Sequence, residues 1–150
     1  MAATMTLRKW VEYGWLRPHR SSREEVRGLL AIVDRDLASA GVEKLSPDWR
    51  FGIAYNAALK LCTVLLHASG FRADRELAHK RTVDALPLIL GEKRAGDARY
   101  LDTCRKKRHI VEYETAGGAS DGEADELIGF ARELREEVLG WLRAKHPELM

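Results

Sequence analysis

Pro47–Ala68, PDWRFGIAYNAALKLCTVLLHA, is the segment on which the fold turns. Ile53, Ala54, Ala57, Ala58, Leu61, Cys62, Leu65 and Leu66 recur at the spacing of a helix. They leave so little polar surface that this helix has to be central, and its small alanines permit close approach of neighbours. Ser46-Pro47-Asp48 supplies a start, with proline at the first helical position, and Ser69-Gly70 supplies the end.

The flanking segments repeat the pattern. Upstream, Ser22-Arg-Glu-Glu25 reads as a capping box. Val26, Leu29, Leu30, Val33, Leu37 and Ala40 follow as one stripe, closed by Gly41. Downstream, a polar loop leads to a helix over residues 77–90 that Pro87 bends or ends. Asp97 is expected to cap a helix carrying Tyr100, Leu101, Cys104 and Val111. After the loop 115–119, a second capping box at Ser120–Glu123 opens a long helix with Ala124, Leu127, Ile128, Ala131, Leu134, Val138, Trp141 and Leu142 on one face. Pro147 stops it. No segment has the period of a strand, and no internal repeat is visible. The expectation is an all-α, antiparallel up-and-down bundle of about five helices over residues 21–150. An amphipathic extension over residues 1–20 precedes it, and its Trp10 and Trp15 are expected to pack on the bundle or on a second copy of the chain.

Hydrophobic residues make up 45% and charged residues 32% of the 150, enough for one domain with a real core. No apolar run reaches membrane-spanning length, and the N-terminus lacks a secretory pattern. Cys62 and Cys104 fall on apolar faces and read as core thiols of a reducing compartment, the cytoplasm. Net charge is +2 but unevenly placed. Residues 99–109 hold five Lys/Arg and one acid, whereas residues 110–150 hold ten acids and four bases.

The basic spot is RKKRHIVEY, Arg105–Tyr113. On a helical wheel Tyr100, Cys104 and Val111 share one arc and Arg108 lies at its edge, while Lys106 and His109 point away. Arg108 then either snorkels over apolar surface towards Glu112 or another acid, or aims its guanidinium at a phosphate. His109 is placed four residues from both Arg105 and Tyr113 and could move protons near neutrality. Arg108 and Tyr113 diverge on a straight helix and would meet only where it loosens or where a second chain supplies the partner. Neither Arg105 with His109, three residues between them, nor Arg72 with His79, outside this helix, is read as a catalytic Arg–His pair. No metal-ligand spacing, phosphate loop or nucleophile arrangement is present in the sequence, so neither a metal nor a cofactor is expected.

Three stretches, DWRFGIAYNAALKLCTVLLHASGFR (48–72), HKRTVDALPLILG (79–91) and YLDTCRKKRHIVEYE (100–114), together resemble the HEPN superfamily of small all-α proteins. The resemblance spans about residues 22–145. It implies a dimer whose two motif helices form one metal-independent RNA-cleaving site, with Arg108 at the family's arginine and His109 at its polar position. The family's histidine position holds Tyr113, whose reference pKa near 10 makes it a weaker base at neutral pH. What the resemblance implies is therefore either a ribonuclease in which Arg108 holds the phosphate while His109 or Tyr113 assists attack by the ribose 2′-hydroxyl, or a non-catalytic module. The latter would bind RNA, a nucleotide or a partner protein, such as a nucleotidyltransferase-type antitoxin, through Arg105, Lys106, Lys107 and Glu112. A purely structural helical homodimer is the third alternative.

Overall fold

The computed structural model describes the backbone of residues 2–150 and the side chains of residues 6–150. The chain is an all-α bundle. Its helices are α1 (Ala2–Glu12), α2 (Arg23–Ala40), α3 (Pro47–Ala68), α4 (Ala78–Asp84), α5 (Leu86–Leu90), α6 (Ala95–Tyr113) and α7 (Asp121–Lys145).

The central helix is α3, and nearly every face of it is buried. Ala54, Ala58, Leu61 and Leu65 line one buried face, and Tyr55, Cys62 and Leu66 continue it around the helix. Each such leucine contributes about 1.5–3 kcal/mol by leaving water. By length and composition α3 could also cross a membrane, but here most of it is enclosed by its neighbours. The stripes of α2, α6 and α7 cover it: Val26, Val33 and Leu37 from α2, Ala98, Leu101, Cys104 and Val111 from α6, and Ala124, Leu127, Ala131, Leu134, Val138 and Leu142 from α7.

Polar ties give the directions. Arg50, at the start of α3, donates from Nε to the carbonyl of Ala40 at the end of α2 (2.9 Å), so these two helices run antiparallel. Its guanidinium also reaches Asp125 (2.5 Å) and Asp121 (3.4 Å) in the first turns of α7, so α3 and α7 run parallel. Arg94 at the start of α6 pairs with Glu137 late in α7, and Lys107 near the end of α6 pairs with Glu123 early in α7; these neighbours are antiparallel.

Four local expectations are corrected. Two short strands exist: β1 (Leu16–Pro18) pairs antiparallel with β2 (Phe71–Ala73), with Arg17 opposite Arg72. Three residues are too few for an alternating pattern to show in sequence. The segment 77–90 is two helices rather than one bent helix, separated at Ala85, because Pro87 has no N–H to continue the ladder. Asp97 does not cap α6. The helix begins at Ala95 after a 3-10 turn (Glu92–Arg94), and Asp97 instead pairs with Arg94 (3.0 Å) inside the first turn. The capping box at Ser22 is only half formed: the Ser22 hydroxyl accepts from the Glu25 N–H (3.1 Å), but the Glu25 carboxylate is engaged by two histidines. At Ser120 both halves of the box are present.

The N-terminal segment packs on the bundle. Leu7 and Leu16 form a small second core with Leu66, Phe71 and Ala85. Trp10 meets Trp15 edge-on at 5.6 Å, and the Arg81 guanidinium lies 3.8 Å above the Trp15 ring. The side chains of residues 1–5 lie outside the described residues.

Arg50→Met removes the donor from a buried carbonyl and both ties to α7. It is expected to lower unfolding stability by about 1–3 kcal/mol in urea titration. Tyr55→Phe is expected not to lower it, because the Tyr55 hydroxyl is buried with no hydrogen-bond partner among the described residues.

Candidate functional site

The second half of α6 carries the cationic run, and the bundle distributes it around the helix. Arg105 turns back to Asp102 (3.0 Å), which also holds Lys106 (3.4 Å). Lys107 faces α7 and pairs with Glu123. Arg108 pairs with Glu112 one turn on, at 3.2 Å. The guanidinium carbon of Arg108 lies 5.6 Å from the centroid of the buried Tyr55 ring, and its Nε is buried without a hydrogen-bond partner among the described residues. Snorkelling towards Glu112 is thus real, yet it leaves part of the fork unsatisfied. His109 and Tyr113 sit four residues apart with ring centroids at 5.0 Å, as the helical spacing requires.

Arg108 stands between two grooves. The first, about 490 Å³, lies between α4 and α6 and is lined by Arg75, His79, Lys80, Arg105, Arg108 and His109, with Leu77 and Ala78 beside them. No carboxylate belongs to that lining among the described residues. The second, about 750 Å³ and mostly apolar, is bounded by Trp49, Arg108, Val111, Glu112 and Tyr113 and by the loop between α6 and α7. Tyr113 is 73% exposed and Trp49 63% exposed on its rim. Asp48 at the start of α3 fixes that loop by accepting from the N–H groups of Gly117 (2.6 Å) and Ala119 (3.0 Å). Gly117 has φ of +79°, and a Cβ on Gly118 would lie 2.7 Å from Val111 Cγ1, so both glycines are needed to close the loop on α6.

The structure therefore brings Arg105, Arg108 and His109 to one groove, and Arg108, Glu112 and Tyr113 to the other. Lys106 and Lys107 point elsewhere. The residue missed from sequence is His79, which was set aside with Arg72. It enters from the first turn of α4, immediately after Leu77, whose φ of +55° is unusual for a leucine. Burial lowers the pKa of His79, and the nearby charges of Arg108, Lys60 and Arg105 lower it further. The imidazole is held neutral at pH 7, as a proton acceptor must be.

Cys104, beside the cationic run, is no nucleophile: burial pushes its thiol up to about 11, and that of Cys62 to about 12. At the far end of α3, about 18 Å from Tyr55 by helical rise, His19, Glu25 and His67 converge as potential metal donors.

Comparison with protein-family models, curated proteins and solved structures gave no match.

These environments lead to three measurements. Imidazole titration by NMR is expected to place the His79 midpoint below the ordinary value of about 6.5. Because the unfolded chain then binds the proton more readily, this residue removes stability as pH falls below about 6.5, and His79→Gln is expected to flatten that acid-side slope. In the folded protein at pH 8, both cysteines are expected to resist a disulfide-exchange reagent and to react only on unfolding.

Proposed function

We propose that this chain is a HEPN-type protein that acts on RNA, with the groove between α4 and α6 as its phosphate-binding site. The observation that carries this reading is that groove's lining: Arg75, Lys80, Arg105 and Arg108 with two histidines, and no carboxylate among the described residues. Such a surface suits a phosphodiester. The resemblance of residues 48–72, 79–91 and 100–114 to the HEPN superfamily supports the same conclusion.

In this reading Arg105 and Arg108 hold the non-bridging phosphate oxygens. His79, neutral at pH 7, accepts the proton of the ribose 2′-hydroxyl as its oxygen attacks phosphorus. The bond to the 5′-oxygen breaks, giving a 2′,3′-cyclic phosphate and a 5′-hydroxyl end. His109, exposed at the same groove, is placed to return a proton to the leaving oxygen. His79 would thus supply the imidazole that Tyr113 cannot.

The apolar groove favours a companion role. Trp49 and Tyr113 are large, exposed and line that groove with Arg108, which suits a face covered by a second copy of the chain. A homodimer joined there would place two Arg108 side chains near one another. A nucleotidyltransferase-type antitoxin is the other partner that the family resemblance suggests for this face, and a cytoplasmic setting fits both.

The test is cleavage and binding of single-stranded RNA by the purified protein in EDTA. Arg108→Ala is expected to weaken binding by roughly 10- to 100-fold, the loss of a charge-assisted contact. His79→Ala is expected to reduce cleavage by about 100-fold or more with binding little changed. Binding that is lost in Arg108→Ala without any wild-type cleavage would make the groove a non-catalytic RNA site. Neither binding nor cleavage above the Arg108→Ala level would sink the proposal for RNA.

A further inference from the structure

His19, Glu25 and His67 come from three different elements. His19 follows β1, Glu25 lies in the first turn of α2, and His67 lies in the last turn of α3. His67 Nδ1 is 2.8 Å from Glu25 Oε1, and His19 Nε2 is 2.9 Å from the same oxygen and 3.0 Å from Oε2. The imidazole centroids are 4.3 Å apart. One ligand atom from each residue fits within a span of 4.8 Å. All three side chains are partly buried, at 18–30% exposure.

From this geometry we infer that His19, Glu25 and His67 form a binding site for a divalent first-row transition ion, with zinc the best match. Two imidazoles and one carboxylate are a donor set that zinc accepts in sites that leave the fourth position to water. Tetrahedral bonds of about 2.0–2.1 Å put ligand atoms about 3.3 Å apart. The His–Glu separations need to widen by only a few tenths of an ångström, within reach of small side-chain rotations. Without an ion, His67 Nδ1 and His19 Nε2 donate to the Glu25 carboxylate, so binding would release those protons and turn the same nitrogens to the ion. Glu25 is held below the usual carboxylate range: burial acts to raise it, but hydrogen bonds and charge from His19 and His67 outweigh that effect. The position of His67 at the C-terminal end of α3 also favours a cation. The charge of Arg72, which acts on His67, opposes the added charge, but Arg72 is exposed to solvent on β2.

An ion there would staple the segment leaving β1 to the ends of α2 and α3. It would therefore bind the folded protein and not the unfolded chain, which makes stability report on occupancy. The site is independent of the RNA-binding groove and of the function proposed for it.

The experiment titrates zinc, and cobalt as its visible reporter, into metal-stripped full-length protein. It is run on wild type, His19→Ala, Glu25→Gln, His67→Ala and the control His146→Ala, which removes the separate exposed His146–Glu148 pair. Circular dichroism checks that each variant is folded. The expected result is one ion per chain, a cobalt absorption band of tetrahedral intensity, and a melting temperature raised by roughly 5–10 °C when zinc is near 100 times its Kd. Binding should fall by at least tenfold in each of the three ligand variants and stay unchanged in the control. Glu25→Gln keeps the shape of the side chain and its backbone contacts, so it reports on the site if an alanine variant fails to fold. Substoichiometric uptake, no uptake, or uptake unchanged in Glu25→Gln would overturn the proposal and leave a hydrogen-bonded His–Glu–His tie.

Discussion

A helix that is apolar around most of its circumference, with only the stripe Asn56, Lys60, Thr63 and His67 left polar, must be enclosed on its other faces, and that constraint organises this protein. α3 buries residues on successive faces from Phe51 to Ala68, so helices have to approach it from several directions at once. Its alanines let them come close. α2, α6 and α7 each bring one apolar stripe and turn their charged faces outward. The polar price of this arrangement falls on Arg50, which is 8% exposed and satisfies the last carbonyl region of α2 while reaching two carboxylates of α7.

Enclosure of α3 also positions the candidate surface. Val111 and Cys104 dock α6 against the core, which fixes the rotation of that helix and sends Arg108 to the seam above Tyr55. From there the guanidinium borders both a basic groove and an apolar one. Asp48 meanwhile pins the loop after α6, so α3 holds the chain just beyond the end of that helix. The two ends of α3 consequently serve different chemistry: cations and exposed aromatics near its start, and a His–Glu–His cluster near its end.

Much of the fold was legible from residue order. The stripes of α2, α3, α6 and α7 and the stops at Gly41, Ser69-Gly70 and Pro147 depend on local periodicity and capping, which a sequence displays directly. The Arg108–Glu112 pair and the His109–Tyr113 contact were legible for the same reason, since they are fixed by helical spacing. The β1–β2 pairing was not: it joins residues more than fifty positions apart, and three-residue strands carry no usable alternation. Nor was the start of α6 at Ala95, where a 3-10 turn takes the place of a side-chain cap.

The site residues divide along the same line. The sequence by itself determined that a basic run would lie on one helix with Arg108 at the edge of its buried face, because rotation per residue is a property of the backbone. Only the tertiary structure decided that Lys106 and Lys107 leave the groove, that His79 enters it from α4, and that His19 and His67 meet at Glu25. Those outcomes depend on which helices are neighbours and in which direction they run, and that is set by long-range burial around α3 rather than by any local pattern.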